Sequence, residues 1–236
     1  MKTPKKFLTL AIILGAIICF SVALSATYPS GTWRYKITVN VDTPEGMKTG
    51  SAVREVTFTP SISLMPDATP KPRSKGEAVV VDMGKRGVLF AITDYNDYQR
   101  VFRAFPFPRG GTTPEGLKYY SSLKDAKKLL KGDQFVNFRD IKDPLTVRAV
   151  VSKKTPELQH LYGDDLTDFH EAFGEDVNLL DVIIQMTEEP VTLGIVDKYL
   201  LWLPERKKGA LDGRMGQFTN DMSSKLDYGN FKDVPY

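Results

Sequence analysis

The chain has two histidines, His160 and His170, so any histidine-dependent chemistry must pass through one of them. Asp164, Asp165, Asp168, Glu171, Glu175 and Asp176 stand close by in sequence. That stock of nitrogen and oxygen donors suits metal binding or carboxylate-assisted hydrolysis. The spacing opposes a shared site, because ten residues of continuous helix leave a net rotation of about 280° and Gly163 interrupts the segment. Leu166, Phe169 and Phe173 also form an apolar stripe, which predicts an amphipathic helix over Asp165 to Phe173 with its acidic groups in water and at the favoured end of the helix dipole. No metal set follows from this pattern. The catalytic candidates are Asp140, Asp143, His170 and Glu171, and they require convergence in one partly buried pocket with perturbed pKa values. The competing reading of Arg139, Asp140 and Asp143 is a surface ion pair and a turn cap before Pro144.

Candidates for ligand binding are Arg109, Gly110, Gly111, Tyr119 and Tyr120. A loop Arg109-Gly110-Gly111-Thr112 can wrap backbone amides around an anion, but it lacks the Lys-Ser/Thr ending of a phosphate loop and the context of a dinucleotide fingerprint. The preferred alternative is a tight turn exposed between two proline-flanked segments. Tyr119 and Tyr120 suit stacking on a ligand ring, or half-buried packing at the edge of an element. Ser121 and Lys124 have Ser-x-x-Lys spacing, yet the accompanying motifs of penicillin-interacting enzymes are missing and no Gly-x-Ser-x-Gly elbow occurs. No cofactor signature is present.

The elements that must position these groups are legible to different degrees. Trp33, Tyr35, Ile37, Val39 and Val41 alternate with polar residues, the period of a strand with one wet face. Thr43-Pro44-Glu45-Gly46 is turn chemistry, and Gly50 to Phe58 returns as the second arm of a hairpin. The proline-rich stretch Thr59 to Lys75 reads as an extended loop. Ala78–Val81 and Val88–Ile92 are near-continuously apolar and predict central strands covered on both faces. Asp94–Phe105 is predicted helical, as is a segment from Ser122 through Leu130. Phe135–Phe138 and Leu145–Val150 read as strands, Pro156 after Thr155 starts a helix, and Val177–Thr187 is a further strand. Ile195–Leu203 is expected to be helical, with Trp202 as an anchor and Pro204 as its stop. Strands and short helices without regular alternation predict an α+β fold, a mainly antiparallel sheet with helices packed on it, in one domain.

Lys2, Lys5 and Lys6 precede a stretch that is apolar from Phe7 to Leu24 except at Thr9 and Ser21. A basic start followed by an apolar core is an export leader. Cleavage after Ser25 best satisfies the need for small residues, whereas the length approaches the roughly 20 residues that span a bilayer; residues 1–26 are thus a signal peptide or a signal anchor. Lipidation is disfavoured by Ile18 before Cys19. As the single cysteine, Cys19 also leaves the exported part without disulfides. The formal net charge of +3 resides in those three leader lysines, and a neutral remainder lacks the electrostatic footprint of a nucleic-acid binder. Residues 27–206 form the expected domain, and 207–236 a polar tail packed on it or trailing from it.

Several quoted segments resemble an uncharacterised family of bacterial, largely proteobacterial, envelope proteins. The resemblance opens with Trp33–Val39, Thr43–Gly46 and Thr49–Val56. It continues through Gly76–Asp82, Pro108–Thr112, Phe138–Asp140 with Asp143-Pro144, Phe173-Gly174, Glu189–Thr192 and Leu211–Gly213, and departs from the pattern at Ser152–Gly163. It implies a single domain behind an N-terminal hydrophobic segment and brings no functional residue with it. The leading expectation is a non-enzymatic exported protein, periplasmic or tethered at the inner membrane through residues 7–24, that binds an envelope protein or a small ligand. The rivals are a carboxylate- or metal-dependent hydrolase, and a lipid or apolar-ligand carrier with a cavity lined by the aromatic residues from Tyr95 to Phe107.

Overall fold

A computed structural model describes residues 12–17, 30–59, 72–94, 96–130, 134–215 and 219–233. The alternating segment folds as β1 (Gly31–Asp42), and the turn at Thr43–Gly46 returns it as β2 (Lys48–Phe58). Their register sets Tyr35 opposite Arg54 and Ile37 opposite Ala52. Then follow β3 (Pro72–Glu77), β4 (Val79–Asp82), β5 (Val88–Ala91), α1 (Tyr98–Ala104), α2 (Pro114–Ser122), β6 (Lys127–Leu129), β7 (Phe135–Phe138), β8 (Val147–Val151), α3 (Pro156–Tyr162), β9 (Leu166–Asp168), α4 (Phe169–Phe173), β10 (Asn178–Met186), α5 (Met222–Lys225) and β11 (Lys232–Asp233).

Among the described residues the strands make two sheets of orders β11-β3-β2-β1-β10-β6 and β4-β5-β7-β8-β9, with only the β8–β9 pairing parallel. The fold is therefore α+β and mostly antiparallel, with a second sheet in place of one. Trp33, Tyr35, Ile37, Val39 and Val41 point into the space between the sheets, where they meet Val79, Val81, Leu89 and Phe135. Burial of each large apolar side chain there contributes about 1.5–3 kcal/mol. The sheets come close together at Gly50, where a Cβ would stand 2.1 Å from the Val80 carbonyl oxygen. Glycine is the residue that permits this crossing.

Several expectations are corrected. The second sheet is covered on both faces, but β4 is its edge strand, not a central one. The predicted helix from Ser122 does not form: α2 ends there, Asp125 takes a left-handed φ of 52°, and the chain continues as edge strand β6. Asp165–Phe173 is not one helix, because Leu166–Asp168 pairs with β8 before Asp168 caps α4. Its apolar stripe satisfies both geometries, and the open edge of β8 decides for the strand. Ile195–Leu203 contains the short 3-10 turn Val196–Lys198, and Pro204 lies in the first turn of a second one, Leu203–Arg206, where its missing N–H costs nothing. The predicted loop Thr59–Lys75 falls outside the described residues from 60 to 71, while Pro72–Lys75 belongs to β3.

The C-terminal segment is part of the fold. Leu211, Leu226 and Phe231 are buried with Phe90, Phe138 and Leu203 on the outer face of the second sheet, and β11 pairs with β3. Trp202 anchors this layer through its ring edge on Phe138 and an indole N–H donated to the Ile141 carbonyl at 2.8 Å. Residues 12–17 are helical and exposed. The rest of the leader lies outside the described residues, and among those described no helix is long and apolar enough to cross a membrane.

Candidate functional site

The sequence candidates occupy three separate places. Asp140 and Asp143 shape a turn: Asp140 accepts from the Lys142 amide at 3.0 Å, and Asp143 accepts from the Leu145 amide at 2.9 Å ahead of Pro144. Arg139 reaches past them to the Asp164 carbonyl. His170 and Glu171 are exposed on α4, with Glu171 paired to Lys154, and His160 is exposed on α3. Among the described residues no group of three or more His, Cys, Asp and Glu side chains is arranged to hold a metal ion.

The glycine loop is built for packing. A Cβ on Gly111 would meet the Phe102 ring at 2.5 Å, and one on Gly116 would meet the Gly110 carbonyl at 2.5 Å. Gly110 adopts a φ of 92°, and its carbonyl accepts from the Thr113 hydroxyl that caps α2. Arg109 is exposed beside it. Tyr120 stacks on Phe102 at 4.6 Å inside the core, and Tyr119 packs on Phe107 at 5.2 Å. The aromatic residues named for the carrier expectation lie in the same region. Tyr95 is outside the described residues; Tyr98 and Phe102 pack on Phe58, and Phe102 also on Trp33, ring against ring. These aromatic groups pack on one another in the core.

A charged cluster that no local motif announces lies between the sheets. Arg54 on β2 and Asp97 before α1 are each 1% exposed, and their side chains meet at 3.1 Å. Arg100, one helical turn beyond Asp97, approaches the same carboxylate at 3.0 Å, and Tyr35 donates its hydroxyl to it. Arg54 also donates to the Glu77 and Ala91 carbonyls at 3.0 Å. Burial pushes the Asp97 carboxyl up, but Arg54, Arg100 and Tyr35 outweigh it and hold the group below the usual range. The Tyr35 hydroxyl is raised well above its ordinary value by burial and by Asp97. Each charge is committed to a partner, so the cluster offers no free acid or base.

Glu77 is equally committed. Its carboxylate accepts from the amides of Gly194, Ile195 and Val196 at 2.6, 2.8 and 3.1 Å, and Lys232 approaches it at 3.2 Å. Lys232 also pairs with Asp197 at 2.5 Å. Burial opposes the Lys232 charge, and Asp197 and Glu77 more than restore it. The next residue, Asp233, has its carboxyl pushed up to about 6 by burial, with Asp97 adding repulsion.

A different environment exists where β1 begins and β10 ends. Thr32, Trp33 and Arg34 of β1, Glu55 of β2, Ser121, Leu123 and Lys124 at and just after the end of α2, and Thr187-Glu188 after β10 line a cleft of about 460 Å³. Its shape follows from the local chain: Gly31 lets β1 pass against Leu117 and Ser121, and the left-handed Asp125 turns the chain away at the rim. Arg34 pairs with Glu55 at 2.7 Å and Lys124 with Glu188 at 3.1 Å, the latter pair 75% and 83% exposed. Ser121 and Lys124 thus share a cleft, but the Ser121 hydroxyl is donated to the Leu117 carbonyl at 2.9 Å and Lys124 faces Glu188, which leaves no activated nucleophile. Trp33 is buried, and its indole N–H has no hydrogen-bond partner among the described residues. Comparison of the chain with protein-family models, curated proteins and solved structures found no match.

Proposed function

We propose that the chain is an exported, non-catalytic binding protein of the bacterial cell envelope, akin to the family its segments resemble, and that its site is the cleft bounded by Arg34, Glu55, Lys124 and Glu188. The observation that carries the reading is the contrast in how charges are used. Buried ionisable groups are tied to one another at Asp97 and Glu77, whereas the rim of the cleft carries the exposed pair Lys124–Glu188, whose partners can be exchanged, beside the part-buried pair Arg34–Glu55. A cleft of this volume falls within the roughly 300–1,000 Å³ typical of small-ligand sites. The basic and apolar leader supports export.

The test combines fractionation with site-directed photo-crosslinking from position 124 in living cells. The expected result is a tagged chain in the periplasmic or inner-membrane fraction, with a discrete adduct that is lost when the probe is moved to position 142. A chain retained in the cytosol, or one that yields the same adducts from both positions, overturns the reading.

A further inference from the structure

We infer that the loop Phe105–Gly111 and the adjoining exposed side of α2 seat on an anionic lipid surface, with the leader retained as an anchor beside them; this rests on the exported-protein reading above. Arg103, Arg109 and Lys118 are exposed and form no ion pair among the described residues. Arg34, Lys36, Arg86 and Lys154, by contrast, each hold a carboxylate. Between Arg103 and Ser122 the sequence sets those three cations against a single carboxylate, Glu115, which stands in the first turn of α2 where the helix dipole favours an acid. Asp125 and the Lys124–Glu188 pair lie past the other end of that helix. The chain after the three leader lysines is neutral as a whole, so this stretch gathers positive charge that is balanced elsewhere.

The uncharged groups of the same surface suit a lipid boundary. Pro106 and Pro108 are exposed, and half-buried Phe107 packs on half-buried Tyr119 at 5.2 Å. Rings held between core and water, with cations beside them, can meet acyl chains and phosphates together. The loop keeps its shape without lipid, because Gly111 fits against the Phe102 ring and the Gly110 carbonyl accepts from Thr113. Its place relative to the leader identifies the occupant. A Cβ on Gly31, the first residue of β1, would stand 3.1 Å from Leu117 and 2.9 Å from Ser121 of α2, the helix on which Phe107 packs through Tyr119. Six residues, 25–30, separate Gly31 from the end of the apolar stretch at Leu24. A chain gains at most about 3.6 Å per residue, so β1 begins within roughly 25 Å of that end whatever path the chain takes. An anchored molecule therefore holds α2 and its loop near the bilayer face, where the tether raises the local concentration of headgroups that the cations meet.

The experiment is fluorescence quenching on the full chain reconstituted in vesicles. In a Cys19→Ser background, Thr112→Cys beside the loop and, separately, Lys142→Cys in the turn after β7 carry a bimane label; both positions are exposed. The vesicles contain phosphatidylcholine spin-labelled at its headgroup, with or without phosphatidylglycerol. Quenching at position 112 is expected to be at least about twofold greater with phosphatidylglycerol than without, and to lose that excess in added salt, while position 142 stays unquenched. Arg103→Gln, Arg109→Gln and Lys118→Gln together are expected to cut quenching at position 112 at least about twofold, with the melting temperature and flotation with the vesicles unchanged. Should that variant misfold, the lipid and salt dependence of the chain with its three cations intact decides. Equal quenching at both positions, no dependence on phosphatidylglycerol or salt, or an undiminished signal in the folded triple variant overturns the inference, as does a cellular chain that begins after Ser25. If the quenching result is negative while the chain fractionates with the envelope and position 124 gives its discrete adduct, the lipid contact falls and the exported binding-protein reading stands; a chain retained in the cytosol removes both.

Discussion

Arg54 with Asp97 and Lys124 with Glu188 are the same chemical pairing in opposite surroundings. The first pair is 1% exposed on both sides, and Arg100 and Tyr35 close the remaining space around its carboxylate. The second is 75% and 83% exposed at the lip of a cleft. Desolvation makes the first expensive to form and more expensive to break, since removal of one member strands a charge in the core. Water and salt screen the second, so that either member can take a new partner at little cost. Residue type therefore does not separate the charges fixed in the core from those proposed to meet a ligand; burial does.

That contrast can be broken in steps. Asp97→Ala leaves Arg54 and Arg100 facing one another in the core and is expected to cost about 3–5 kcal/mol in urea unfolding, the largest single effect among these variants. Gly50→Ala acts by sterics instead. Its new methyl would press on the Val80 carbonyl at the crossing of the sheets, with an expected loss of about 1–3 kcal/mol measured the same way.

Asp233 gives a smaller effect with a defined sign. Its carboxyl titrates near 6, above its ordinary value, because it is half-buried and close to Asp97. The folded chain therefore holds this proton more tightly than the unfolded chain does. The resulting stabilisation is fully present below about pH 4 and is lost as pH rises through about 6. Asp233→Asn is expected to leave the melting temperature unchanged near pH 3.5 and to raise it near pH 7.5. The gain is about 2 °C or less, because water screens the exposed part of the group. Lys124→Ala closes the series, with a change within about 0.5 kcal/mol that shrinks further in salt.

The hairpin of β1 and β2 was legible in the sequence because a period of two marks its first arm and turn chemistry follows directly, while its register came only with the fold. One signal for the buried cluster lay there as well. Gly50, Ala52, Arg54, Val56 and Phe58 share the inward face of β2, so Arg54 occupies a core position by alternation alone. Its partner was hidden, because Asp97 reaches Arg54 only after the second sheet folds against the first. The cleft had no local signature, since it gathers the ends of β1, β2, α2 and β10 from widely separated parts of the chain. The Ser-x-x-Lys spacing did point to two of its residues, for a reason the geometry does not support. Strand β6 was misread because the left-handed turn at Asp125 is not specified by residue type, although aspartate tolerates it better than most residues. The acidic segment around His170 holds abundant ligand chemistry in the sequence, and in the fold His170 and Glu171 stand on an exposed surface.

Parallel double-mutant cycles on Arg54–Asp97 and on Lys124–Glu188, read by urea unfolding, test most directly whether burial assigns these roles. The account predicts a coupling above about 2 kcal/mol for the first pair and below about 0.5 kcal/mol for the second. Couplings of equal size, or a larger one at Lys124–Glu188, would contradict it.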